Sequence, residues 1–142
     1  PTILFVEHDA PITPDYDFDW EKMVKIITEG LAGVIRFYPE SRLMKEHQYL
    51  MGDKQEVEGL SLTKTIQWSQ RPHLASTTYY KDILNIHFSK NAKTMIEDVM
   101  HGVVQDDGWD KHKIYIYTPE GNIKRSYHLD GRGNESKYKM IF

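Results

Sequence analysis

The chain has 142 residues, about the length of one domain and enough to bury a core without covalent staples. It contains no cysteine, which excludes a disulfide framework, a thiolate nucleophile, an iron–sulfur cluster and cysteine-ligated zinc. Charged residues make up 27% and hydrophobic residues 39%, the net charge is −3, and no apolar run approaches the roughly 18 residues of a membrane span, so a folded domain outside the bilayer is expected.

Thr2 to Val6 is a short apolar run that predicts a strand buried on both faces and central in a sheet. The prolines of Asp9 to Asp15 place a loop after it. Trp20, Met23, Val24, Ile27 and Leu31 then share one helical stripe, with Asp15, Asp17 and Asp19 at its positive end and Gly33 as a stop. Val34 to Tyr38 reads as a second strand, and Arg42 to Met51 as a short helix before Gly52. Leu60 to Trp68 alternates as a half-buried strand, with Lys64 the exception on its apolar face. Ile83 to Phe88 alternates again, with Leu84, Ile86 and Phe88 inward, and is expected to pair antiparallel with the preceding strand. Ser89 or Asn91 caps a second helix with Ala92, Met95, Ile96, Val99 and Val103 on one face, ending near Asp106-Asp107-Gly108. Lys113 to Thr118 and Ile123 to Leu129 flank the hairpin signal Pro119-Glu120-Gly121-Asn122, and Tyr138 to Phe142 reads as a last edge strand. This order predicts a single α+β domain over residues 1–142. Its architecture is expected to be a ferredoxin-like sandwich, a mainly antiparallel sheet of about five to seven strands with two principal helices on one face.

Seven histidines are present, and none is spaced from another as metal ligands usually are on a helix or strand. No metal and no cofactor are therefore expected. His101 follows Glu97 and Asp98 at ion-pair spacing, and Asp106-Asp107-Gly108-Trp109-Asp110 lacks the ligand spacing of a calcium loop. Charge is uneven: residues 1–60 carry twelve acids against six bases, and residues 111–142 seven bases against three acids. The basic end interleaves Lys113, Lys124 and Arg125 with Tyr115, Tyr117, Tyr127 and His128. Bases among aromatics on a sheet can hold single-stranded nucleic acid by phosphate pairing and stacking. An acidic chain without an RNP-like pattern makes edge protection by lysine the preferred reading.

Pro1 offers a further chemistry. As a mature N-terminus it would carry a secondary amine at the start of a buried strand, and burial or a nearby cation would lower its pKa toward that of a general base. A leading proline on a first strand followed by a helix resembles the tautomerase superfamily. The resemblance implies Pro1 as base and an arginine, Arg36 or Arg42, holding a substrate carboxylate, and Tyr38 or His87 is available as the acid.

The leading expectation is an interaction or assembly domain forming a homo-oligomer or binding a protein partner, because strand edges, tyrosine-rich terminal strands and opposed charge suit association. A small isomerase, lyase or hydratase acting on a carboxylate is the alternative, and nucleic-acid binding the third. Pro1 to Glu7 lacks the basic and small-residue pattern of a signal peptide, so a cytoplasmic location with no membrane partner is expected.

Overall fold

One mixed sheet organises the chain, and the computed structural model describes residues 2–7, 10–14, 16–38, 45–90, 93–120 and 126. In chain order the elements are β1 (Thr2–Phe5), α1 (Trp20–Thr28), β2 (Val34–Arg36), a 3-10 helix (Lys45–Leu50), β3 (Met51–Val57), β4 (Leu60–Thr65), β5 (His73–Ser76), α2 (Thr77–His87), α3 (Ile96–Asp107), α4 (Trp109–His112) and β6 (Ile114–Tyr117). The strands lie in the order β1-β5-β2-β6-β4-β3. β2 and β6 run parallel at the centre, and the other described neighbours are antiparallel. The architecture is α+β and compatible with a ferredoxin-like sandwich.

Side chains alternate across each strand, so the central strands serve two cores. Ile35, Phe37, Leu62, Leu74, Tyr115 and Tyr117 pack with Met23, Ile26 and Ile27 of α1. Val34, Ala75 and Ile114 pack with Tyr80 and Ile83 of α2 and Met100 and Val104 of α3. The helices therefore cover both faces, which corrects the expectation that the two principal helices share one. A sheet whose central strands are apolar on both sides must be covered on both sides.

Local chemistry accounts for each element. Asp19 caps α1, its Oδ1 accepting from the Lys22 amide at 3.1 Å. The buried stripe is Met23, Ile26 and Ile27, while the expected Trp20, Val24 and Leu31 stay partly exposed. Residues 83–87 are helical rather than extended, and Phe88 is the extended C-cap of α2. Ser76 Oγ accepts from the Tyr79 amide at 3.3 Å, Tyr80 and Ile83 face the core at helical spacing, and Leu84 and Ile86 point outward. β4 consequently pairs with β3 and β6. β1 is an edge strand, bonded to β5 alone among the described strands, with Leu4 and Val6 half-exposed. The helix expected over residues 42–51 is a 3-10 helix from Lys45, and β3 follows it with Gly52 to Glu56 exposed, so no apolar alternation announced it. The second expected helix begins at Ile96 and buries Met100 and Val104. Beyond Glu120 only Ser126 is described: it bridges Ile12 and donates its hydroxyl to the Phe37 carbonyl at 2.7 Å. The second strand of the expected hairpin and the last edge strand lie outside the described residues. No described helix is long and apolar enough to cross a membrane.

Candidate functional site

A charged residue interrupts the apolar run of β2. Register places Arg36 beside His73 on β5 and Ile116 on β6, on the face covered by α2 and α3. Arg36 is only 2% exposed. Its Nη1 donates to the Gln67 carbonyl at 2.9 Å and to Gln67 Oε1 at 3.2 Å, and its Nε is buried without a hydrogen-bond partner. No acid among the described residues lies within ion-pair distance of it. Burial pushes its pKa down to about 10, partly opposed by Tyr38 and Glu97 and reinforced by Arg71. The guanidinium is still fully charged at neutral pH, and an unpaired buried charge is among the costliest features a fold can keep.

The loop between β4 and β5 supplies the surroundings. Arg71 takes its backbone geometry from Ser69, whose Oγ accepts the Arg71 amide at 3.2 Å, and from His73, which donates Nδ1–H to the Arg71 carbonyl at 2.8 Å. Arg71 Nη1 and Trp68 Nε1 are, like Arg36 Nε, buried donors without partners. His73 is 1% exposed, and burial pushes its pKa down to about 4, with the nearby Arg36 charge acting the same way. Its imidazole is therefore neutral. With Nδ1 donating to a carbonyl, Nε2 accepts from the Tyr80 hydroxyl, and burial raises that phenol above its usual range. Phe5 stacks on the imidazole with centroids 4.9 Å apart. Both ring nitrogens are engaged, so His73 positions the Arg71 loop.

Arg71 opens onto a cavity of about 200 Å³, also lined by Glu7, Ala10, Ser69, Gln70, Met95 and Glu97. Met95 is the N-cap of α3 and provides no side-chain cap, so backbone donors of the helix start at the cavity. Gln70 Nε2 donates to Glu7 Oε1 at 3.0 Å, and Gln70 Oε1 is buried without a partner. Arg36 does not line the cavity, but its buried charge is coupled electrostatically to both Arg71 and Glu97. At the cavity itself the Arg71 guanidinium and a helix N-terminus favour an anion, opposite the acids Glu7 and Glu97.

A second polar chain is structural. His112 Nε2–H donates to Asp107 Oδ2 at 2.7 Å, and Nδ1 accepts the Tyr79 hydroxyl at 2.8 Å. The His112 bond holds the Asp107 carboxyl below its usual range, and desolvation holds the Tyr79 phenol above its own. These bonds tie α2, α3 and α4 together. Gly33 packs against the same junction, where a Cβ would sit 2.5 Å from the His112 carbonyl oxygen.

Of the residues singled out by sequence, Arg36 and Tyr38 share a face of the strand and interact electrostatically. Tyr38 is buried, with its hydroxyl 2.9 Å from His47 Nδ1. His87 ends α2 rather than projecting from a strand, and its charge acts on Asp107. Tyr115 and Tyr117 are each 4% exposed and packed under α1, so their ring faces are not open to stacking bases. Lys113 is exposed and donates to the Gly30 carbonyl at 3.3 Å. Pro1, Arg42, Lys124, Arg125, Tyr127 and His128 lie outside the described residues. Sequence reasoning passed over Gln67, Trp68, Arg71, His73 and Glu97. The available signal was one charge inside the buried run of β2, which demands polar neighbours elsewhere in the chain. No group of three or more His, Asp or Glu able to hold a metal occurs among the described residues. Comparison with protein-family models, curated proteins and solved structures found no match to this chain.

Proposed function

We propose that this chain is a small-molecule-binding domain that holds a carboxylate at Arg71, backed by the buried charge of Arg36, in a cytoplasmic setting. The carrying observation is the Arg36 guanidinium, 2% exposed, with Nε unpaired and no described acid beside it. Arg71 Nη1 adds a second unfilled donor at the cavity wall. A carboxylate accepts through two oxygens and matches planar guanidinium donors, often bidentately. The cavity volume of about 200 Å³ is below the range of drug-sized sites, which restricts the ligand to a small metabolite. This reading keeps the carboxylate anchor of the isomerase, lyase or hydratase alternative and assigns no reaction to it.

Calorimetric titration with butanoate tests the proposal. Saturable binding that weakens about tenfold or more in both Arg36→Met and Arg71→Met is expected, the effect of losing a hydrogen bond to a charged group. Absence of saturable binding by butanoate and by its 2-amino derivative alike, or unchanged binding in Arg36→Met, overturns it.

The assembly reading is favoured by a separate observation. β1 leaves one edge unpaired among the described strands and exposes Leu4 and Val6 at 48% and 44%. Such an edge fits a second copy of the same strand across a two-fold axis. Sedimentation should then show a dimer that Leu4→Lys splits. A monomer at every concentration removes this reading.

A further inference from the structure

We infer that the ligand is a zwitterion of the small α-amino acid class, with an ammonium held at Glu7, Glu97 and Gln70 beside the carboxylate held at Arg71, to which the buried Arg36 charge is coupled. The inference rests on the carboxylate reading and adds the chemistry of the opposite wall. The same cavity of about 200 Å³ is lined by Arg71 and by the acids Glu7 and Glu97. Neither acid forms an ion pair within 4.0 Å among the described residues. Gln70 fixes the local polarity. Its amide nitrogen donates to Glu7 Oε1 at 3.0 Å, which leaves its carbonyl Oε1 buried as an acceptor with nothing to accept.

The cavity lining therefore carries unfilled groups of both kinds. Arg71 Nη1 needs an acceptor, and Gln70 Oε1 needs a donor. A simple carboxylate satisfies the first and leaves Gln70 Oε1 orphaned, while also meeting two uncompensated acids. A dicarboxylate or a phosphate brings more negative charge against Glu7 and Glu97. An ammonium has three donors and no acceptor, which matches a carbonyl flanked by two carboxylates. The rest of the lining is Ala10, Met95 and Ser69, the first two of which suit a short apolar side chain.

Three probes on related skeletons separate the terms: 2-aminobutanoate, butanoate without the amine, and propylamine without the carboxylate. Calorimetry on the full chain should show 2-aminobutanoate binding at least tenfold tighter than butanoate, and propylamine weakest of the three. Glu97→Gln should weaken 2-aminobutanoate about tenfold and leave butanoate unchanged or tighter, and Glu7→Gln should shift the two probes in the same pattern. Arg36→Met should weaken both. Equal affinity for butanoate and 2-aminobutanoate, or equal loss of both in Glu97→Gln and Glu7→Gln, overturns the zwitterion while the carboxylate site stands. Failure of both carboxylate probes to bind overturns the carboxylate site and this inference with it.

Discussion

Replacing Arg36 by methionine should make the ligand-free protein more stable while removing binding. The fall in the Arg36 pKa to about 10 corresponds, at about 1.4 kcal/mol per pKa unit, to a penalty of roughly 3 kcal/mol on the charged form. Because the folded pKa lies below the unfolded one, the unfolded chain binds the proton more strongly. The penalty is thus complete at every pH below about 10 and is relieved only as the pH rises above it. Methionine occupies similar space without charge. It leaves the Gln67 carbonyl and Oε1 without their donor, a loss of about 1–2 kcal/mol. The balance is a gain of about 1–2 kcal/mol, or roughly 5 °C in Tm for a domain of this size. Urea unfolding of wild type and Arg36→Met at pH 7 measures it. A destabilisation of about 2 kcal/mol or more would refute the reasoning and make the guanidinium a structural strut.

Other substitutions probe the frame that holds the site. His73 is neutral in the fold because its pKa is pushed to about 4. Its contribution is complete above pH 6.5 and lost as the pH falls toward 4, about 2 kcal/mol by pH 5. Urea midpoints across that range should fall in wild type and much less in His73→Gln, and parallel curves would contradict the assignment. Gly33→Ala should cost about 3 kcal/mol, since the new methyl meets the His112 backbone at 2.5 Å; a Tm unchanged from wild type would show that this junction can yield. Leu62 is fully buried, and Leu62→Ala should cost about 2–5 kcal/mol by chemical denaturation. Lys25 contacts Glu29 and Glu58 on the surface, and Lys25→Ala should change stability by less than about 1 kcal/mol.

The sequence carried the class and most element positions, and the misreadings have physical causes. α1 and β2 begin where the pattern placed them, because a 3.6 repeat and a buried apolar run are local signals. α1 nevertheless ends at Thr28, short of Leu31 and the expected stop at Gly33, and β2 ends at Arg36. Residues 83–88 alternate in hydrophobicity over six positions, yet the Ser76 cap and the Tyr80 and Ile83 pair belong to a helix that starts six residues earlier, at Thr77. A six-residue window does not reach that cap. β1 was expected at the centre because its sequence is apolar throughout. The sheet instead puts it at an edge, paired with β5 alone among the described strands, and Leu4 and Val6 stay half-exposed.

Arg36 was legible as a carboxylate anchor only through a family resemblance. Its environment was not, because Gln67 lies 31 residues away and reaches it solely through sheet pairing. Glu97 and Glu7 reach the cavity from a helix start and from the segment after an edge strand. No spacing rule links such positions. In β6 both tyrosines face the α1 core, since both sides of a central strand are buried.

The account depends on whether the Arg36 charge senses an anion, and the Arg36 Nε–H proton reports this directly. Its NMR signal, assigned by its loss in Arg36→Met, should shift saturably as butanoate is added, at concentrations near or below about 10 mM, ten times a millimolar Kd. A resonance that stays fixed throughout that titration, and throughout the same titration with 2-aminobutanoate, would contradict the carboxylate site.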